Sequence, residues 1–237
     1  MEVESQLGDL RVSRQLDWGA RFPGLVQGIT LRAPDLDFGS SPRGGWATLQ
    51  SSAGIPRVAC CRQVHGAAVA VYDDSHSSGV KVLGDADAIV TAREGVLLAV
   101  TVADCVPVFV VEPVRRLLGL AHAGWRGTAA GIAEATLGAM SRLGAEVASL
   151  HVHLGAAICR KCYKVGPEVT AALGVPEGTR HVDLRDHIAR SVRALGVDSG
   201  RLTASQRCTR CDSGSFYSYR GGDRGQRMCA FLGWSAG

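Results

Sequence analysis

With 237 residues, 46% of them hydrophobic, the chain carries enough apolar material for one α/β domain, expected to span 1–237 with roughly the first 25 residues peripheral. Asp104 and Pro107 interrupt the most hydrophobic region before it reaches the roughly 18–20 residues of a membrane span. The acidic opening 1–12 has no apolar signal core, so a cytoplasmic protein without a membrane partner is expected. The net charge of +4 rests on 23 Arg against three Lys, Asp residues are interspersed among the C-terminal Arg, and aromatics make up 5%, which argues against a nucleic-acid partner.

In chain order, residues 1–22 are weakly patterned, with a strand expected near 10–18. Residues 26–31 read as a strand, 33–45 as a loop rich in Pro, Gly, Asp and Ser, and 48–52 as a short helical turn. A strand at 58–64 delivers His65 to a turn beside Gly66, extended character resumes over 67–72, and 73–84 is a turn-rich connection in which His76 should be solvated. Residues 86–91 form a short strand introduced by acidic residues.

The densest stretch is 95–128. Two apolar β-branched runs, 96–102 and 106–111, are separated by Ala103-Asp104-Cys105, which puts a carboxylate and a thiol where a buried strand has no polar groups. A short basic turn, 113–116, leads to a third run, 117–121, that ends in His122 and the small-residue turn before Trp125-Arg126. A helix over 128–143, capped by Thr128, should follow, and its positive N-terminus with Arg126 would favour an anion. Further on come a strand at 150–154 with His151 and His153 on one face, a helix from Pro167 to about 173, a second capped by Asp183, a strand at 201–205, and two final segments, 216–220 and 228–232. Strands outnumber helices without strict alternation, so a mixed-sheet α/β sandwich is expected. No strand-to-helix GxGxxG or Walker pattern points to a dinucleotide or P-loop site.

His65, Cys105 and His122 each follow an apolar strand and precede small residues. Two imidazoles and a thiolate suit Zn²⁺ and leave a fourth tetrahedral position open for water or substrate. The same atoms equally suit a metal-free reading, with Cys105 as nucleophile, His122 as base and His65 as orienting group, and a buried core thiol with unrelated histidines is as compatible with the spacing. Cys159-Arg160-Lys161-Cys162 and Cys208-Thr209-Arg210-Cys211 are paired C-x-x-C knuckles that either hold a second, structural metal or stay as reduced thiols, while Cys60, Cys61 and Cys229 read as core or surface cysteines. A disulfide framework does not suit so long and core-rich a chain.

The motifs Arg62-Gln63-Val64-His65-Gly66, the run 85–91, the run 101–108, the run 121–127, the run 162–166 and Phe216-Tyr217-Ser218-Tyr219-Arg220 together resemble the YfiH or laccase-domain family, also labelled polyphenol oxidase or purine nucleoside phosphorylase. The resemblance implies a single α/β domain of YfiH-like type, a catalytic zinc on His65, Cys105 and His122, phosphorolysis of adenosine, inosine and methylthioadenosine, and adenosine deamination. Inorganic phosphate would be co-substrate, with Arg126 as its candidate site and Asp104 or Asp87 as a candidate proton or hydroxyl partner. Phenol oxidation, implied by the older label, needs a trinuclear copper cluster with many more histidines than the seven present. Other members suggest peptidoglycan-precursor editing on the same site, or a noncatalytic role beside the envelope or division machinery.

Overall fold

The computed structural model describes residues 1–39, 42–74 and 78–235, so the predicted solvation of His76 lies outside the described residues. Among the described residues thirteen strands form two sheets. The seven-stranded sheet runs β1 (Glu2–Leu7), β2 (Leu10–Gln15), β3 (Leu25–Thr30), β13 (Met228–Trp234), β8 (Val96–Val102), β4 (Arg57–Arg62) and β6 (Gly79–Asp85). The six-stranded sheet runs β12 (Leu202–Ala204), β11 (His151–Leu154), β9 (Val106–Glu112), β10 (Leu117–Ala123), β7 (Ala88–Thr91) and β5 (Val69–Tyr72). Most pairs are antiparallel. β4 lies parallel to both β6 and β8, β5 to β7, and β11 to β12. The expected mixed-sheet α/β sandwich is the observed architecture.

Alternation along the central strands explains the layering. On β8, Val96, Leu98, Val100 and Val102 face the second sheet, while Leu97 and Ala99 face an outer cluster with Leu49 and Ile55 at the helix α2 (Pro42–Ala53). On β9, Phe109 and Val111 look into the inter-sheet core; Val106, Val108 and Val110 look the other way, onto α4 (Ile132–Arg142) and α6 (Leu184–Ala194). Both faces of each central strand are therefore buried, which is why these runs are continuously apolar rather than alternating with polar residues. Each fully buried Val or Leu contributes about 1.5–3 kcal/mol, so these strands supply a large share of the core's stabilisation.

Several local expectations differ from the structure. The region read as a loop and short turn holds the twelve-residue α2. The connection 73–84 contains β6, an edge strand whose Val80 and Val82 stay exposed and which is held through backbone pairing with β4, so no core periodicity marked it. Residues 10–18 split into β2 and the short helix α1 (Leu16–Arg21). The chain's beginning joins the sheet edge, where the buried Glu2 carboxylate accepts hydrogen bonds from Ser13 and Ser205 and meets His153 at 2.9 Å. Of the two final segments, 216–220 is irregular and 228–232 lies in β13. The single helix capped by Thr128 is instead two: α3 (Trp125–Ala129) begins after Gly124, Thr128 N–H donates to the Gly124 carbonyl, and Gly131 at φ +81° separates α3 from α4. A left-handed residue there ends one helix and redirects the chain at no steric cost because it has no Cβ. The remaining helix, α5 (Pro167–Ala172), has proline in its first turn, and Asp183 caps α6 by accepting from Arg185 N–H, as expected of both.

Candidate metal centre and its cavity

Antiparallel pairing of β9 with β10 sets Ala123 against Val106 and His122 against Pro107, so Cys105, one residue before β9, comes up beside the end of β10. His65 reaches the same point from the crossover between β4 in one sheet and β5 in the other. One ligand atom from each of His65, Cys105 and His122 lies within 4.8 Å of the other two, and the two imidazole rings stand nearly perpendicular with centroids 4.8 Å apart. This donor set could hold one metal ion: its atoms are close enough to share a centre, and two nitrogens with a thiolate match a borderline-soft cation.

The backbone bends to achieve this. His65 has φ +61° and Asp104 φ +85°, left-handed conformations that side chains rarely adopt. Each costs free energy and persists only where neighbours enforce it, a pattern concentrated at functional sites. For His65 the enforcing group is Asp87, a fully buried residue whose carboxylate accepts from Val64 N–H (3.1 Å), His65 N–H (3.0 Å) and Gly66 N–H (2.7 Å). The same carboxylate meets His122 Nδ1 at 2.9 Å, and the Asp87 carbonyl accepts from His122 N–H. With Asp87 as acceptor, His122 keeps a proton on Nδ1, so Nε2 is the nitrogen that a metal would take once its proton is displaced, the carboxylate–histidine arrangement common behind metal-bound imidazoles. Burial opposes ionisation of Asp87, but the His122 hydrogen bond and the converging N–H groups hold its carboxyl below the usual range. For Asp104 the enforcing partners are Thr209 Oγ1, which donates to one oxygen at 2.6 Å, and Arg220 N–H, which donates to the other at 2.7 Å.

Space at the site is tight on one side. A Cβ on Gly124 would stand 3.1 Å from both Cys105 Sγ and His65 Cδ2, so any larger residue would make these ligands shift by a few tenths of an ångström. Burial would raise the Cys105 thiol, yet the charge and hydrogen bond of His122, followed by those of His65, draw it down to about 6. His122 is held above the usual imidazole range, against desolvation, by Cys105 and Asp87.

On the other side the group opens into a cavity of about 570 Å³. Asp104 and Arg126 line it together with Gln63, Tyr163, Tyr219, Arg220 and Arg227. The Arg126 guanidinium stacks over the Trp125 ring at 4.3 Å and that of Arg220 over Tyr163 at 5.1 Å. Burial pushes the Tyr163 hydroxyl up to about 12, so it stays protonated. Gln63 is clamped by Thr101, donating to its carbonyl and accepting from its N–H and hydroxyl. The sequence alone assigns no role to Gln63, Tyr163 or Arg220, although each stands inside one of the family-like motifs. Arg227 carries no signal at all. The helix-terminus anion site expected after Arg126 is not formed, because α3 is a five-residue turn that already contains Arg126. His151 and His153 lie away from the cavity: His153 meets Glu2 and Thr203, and His151 packs its ring against Phe22 at 5.0 Å.

The family model described as multi-copper polyphenol oxidoreductase laccase matches residues 44–235. The chain is 37% identical over 200 residues to purine nucleoside phosphorylase YlmD of Geobacillus stearothermophilus, covering 76% of this chain and 73% of that one. It is 34% identical over 177 residues to adenosine deaminase RL5 of an unknown prokaryotic organism, covering 67% and 68%. The crystal structure of YlmD from Geobacillus stearothermophilus superposes with a TM-score of 0.79 at 30% identity over 91% of this chain and 93% of that one. Bacillus licheniformis hypothetical protein YfiH shares the fold, with a TM-score of 0.81 at 23% identity over 95% and 96%. No helix among the described residues is long and apolar enough to cross a membrane.

Proposed function

The chain belongs to the multi-copper polyphenol oxidoreductase laccase family, and from that premise we propose that it is a purine nucleoside phosphorylase with adenosine deaminase activity, dependent on one zinc ion held by His65, Cys105 and His122. The observation that carries this reading is the convergence of those three side chains at the floor of a 570 Å³ cavity whose wall carries arginines and aromatic rings. That volume falls in the range of small-molecule sites. Zinc bound there would supply a Lewis acid with one coordination position open to the cavity.

The chain's own groups account for the remainder. Asp87 fixes the tautomer and direction of His122 and the backbone of His65, so it acts as a positioning residue. Trp125, Tyr163 and Tyr219 line the cavity with an arginine stacked on one face of each ring, and their remaining ring surface would offer stacking for a purine. Arg126, aided by Arg220 and Arg227, supplies planar N–H donors for inorganic phosphate. In phosphorolysis a phosphate oxygen attacks the ribose anomeric carbon while the bond to the purine nitrogen breaks, so the anion must be held on the ribose side of the cavity. In deamination water adds to the purine carbon bearing the amine, and ammonia leaves. Asp104, its carboxylate fixed by Thr209 and Arg220, suits either a ribose hydroxyl or the proton released by the attacking water. Copper-based phenol oxidation lacks ligands: among the described residues the histidine-containing metal group is limited to His65 and His122 with Cys105.

Purified protein incubated with adenosine and phosphate should yield adenine and ribose 1-phosphate; without phosphate it should yield inosine. Cys105→Ala and His122→Ala should abolish both conversions. Absence of both products from metal-replete wild-type protein would refute the reading.

A further inference from the structure

Outside the cavity the chain gathers a second group of soft donors, which the proposed reaction does not use. The sulfur atoms of Cys159, Cys162, Cys208 and Cys211 all lie within 4.8 Å of one another. Cys162 Sγ is 3.4 Å and Cys159 Sγ 4.0 Å from Cys211 Sγ. Four thiolates at zinc–sulfur distances of about 2.3 Å stand about 3.8 Å apart at the corners of a tetrahedron, and the observed separations bracket that value. A disulfide would bring two sulfurs to about 2.05 Å, and none of the four cysteines is so paired. An iron–sulfur cluster would interpose inorganic sulfide and several irons, and so needs its thiolates further apart than a single ion does.

The surroundings match a bound ion. Backbone N–H groups of Cys159 and Cys211 donate to Cys208 Sγ at 3.2 and 3.4 Å, hydrogen bonds that stabilise a thiolate. The first knuckle closes a tight turn in which Cys162 N–H donates to the Cys159 carbonyl, and the chain just past the second turns back so that Asp212 N–H donates to the Cys208 carbonyl. Arg160, Lys161 and Arg210 flank the sulfurs in sequence, and Arg210 also donates to the Cys162 carbonyl. These cations offset the double negative charge of a divalent ion with four thiolates.

The position in the fold gives the group a purpose. Residues 155–166 and 205–227 contain no helix or strand. Among the contacts that join them are one parallel bridge, Ala157 to Cys208, the Thr209 N–H bond to the Ala157 carbonyl, and side-chain bonds from Arg210 to the Cys162 carbonyl and from Arg220 to the Lys164 carbonyl. The first segment brings Ile158 and Tyr163 to the cavity, and the second brings Thr209 to Asp104 and Arg220 to the rim. We propose that Cys159, Cys162, Cys208 and Cys211 hold a zinc ion as a closed four-thiolate site that staples these two segments into one wall of the cavity. Four protein ligands leave no open position, so the ion is structural and takes no part in the reaction.

Metal analysis of protein purified under reducing conditions without chelator tests this. Wild type should carry two zinc ions per chain, and Cys105→Ala and Cys211→Ser one each. Cobalt loaded into Cys105→Ala, in which the cavity set is broken, should give the visible bands and strong near-ultraviolet charge transfer of a tetrahedral four-thiolate ion. A single zinc in wild type that survives Cys211→Ser would overturn the proposal, as would an intact mass under non-reducing conditions lighter by the hydrogens of a disulfide. A metal content unchanged by Cys105→Ala would instead count against zinc at His65, Cys105 and His122, so the two sites fail separately.

Discussion

Asp87→Asn tests the arrangement behind the metal ligands most directly, because it preserves shape and removes only charge and acceptor capacity. One carboxylate oxygen serves His65 N–H and His122 Nδ1, the other Val64 N–H and Gly66 N–H. Whichever way the amide turns, its NH₂ faces two donors, and two hydrogen bonds are lost at a residue fully shut off from solvent. Hydrogen bonds to a charged acceptor contribute about 1.5–3 kcal/mol each, so roughly 3 kcal/mol or more of local stabilisation disappears. That loss falls on the left-handed turn at His65 and on the tautomer of His122 together. Loss of such a partner behind a metal ligand typically weakens binding about 10–100-fold. Competition against a chromophoric chelator should therefore give a zinc affinity at the cavity lower by that factor, with turnover of adenosine reduced in parallel and partly restored at high zinc. An Asp87→Asn protein with wild-type zinc affinity and wild-type turnover would refute the claim that Asp87 positions both histidines.

Gly124→Ala is compatible with the backbone at φ −77° and ψ 173°, so its effect isolates the contact of a Cβ 3.1 Å from Cys105 Sγ and His65 Cδ2; zinc affinity should fall about tenfold with little change in melting temperature, and an unchanged affinity would mean the wall yields freely. Arg126→Ala should raise the phosphate KM about tenfold or more while leaving conversion of adenosine to inosine intact; equal phosphate KM values would remove Arg126 from the anion site. Burial, reinforced by Arg201 and Arg21, lowers His151 from 6.5 to about 4, so the unfolded chain takes a proton between those values that the folded one refuses. Stability is thus complete above about pH 6.5 and declines as pH falls toward 4, by roughly 3 kcal/mol or about 6–12 °C in melting temperature. His151→Leu should flatten that part of the profile, and an identical acid decline in both proteins would contradict the assignment.

What the sequence disclosed follows from which signals are local. β8, β9 and β10 were legible because both of their faces are buried, and an unbroken β-branched run of that length fits a doubly covered strand and little else. The interruption at Asp104 and Cys105 stood out against that background for the same reason. β6 was not legible, since an edge strand with exposed valines is held by its neighbour's backbone rather than by its own side chains. Thr128 looked like a cap because Ser and Thr are good ones, but Gly124 and Gly131 set the helix boundaries through backbone geometry. Asp87 reads in the sequence as a carboxylate near the chemistry. That it serves four donors at once depends on a crossover and a strand end meeting in space, and no spacing in one sequence encodes it. The cysteine knuckles were legible as pairs, whereas their convergence across 45 intervening residues was not.

His65 and Cys105 both sit on crossovers from the seven-stranded to the six-stranded sheet, β4 to β5 and β8 to β9, while His122 lies within β10 of the second sheet. An ion gripped by all three would behave as a rivet through the sandwich, resisting any sliding of one layer over the other. Loading and stripping the metal should then alter amide exchange along β4 and β10 well beyond the ligands, and substrate entry would meet a seam that is mechanically locked rather than a loop that flaps.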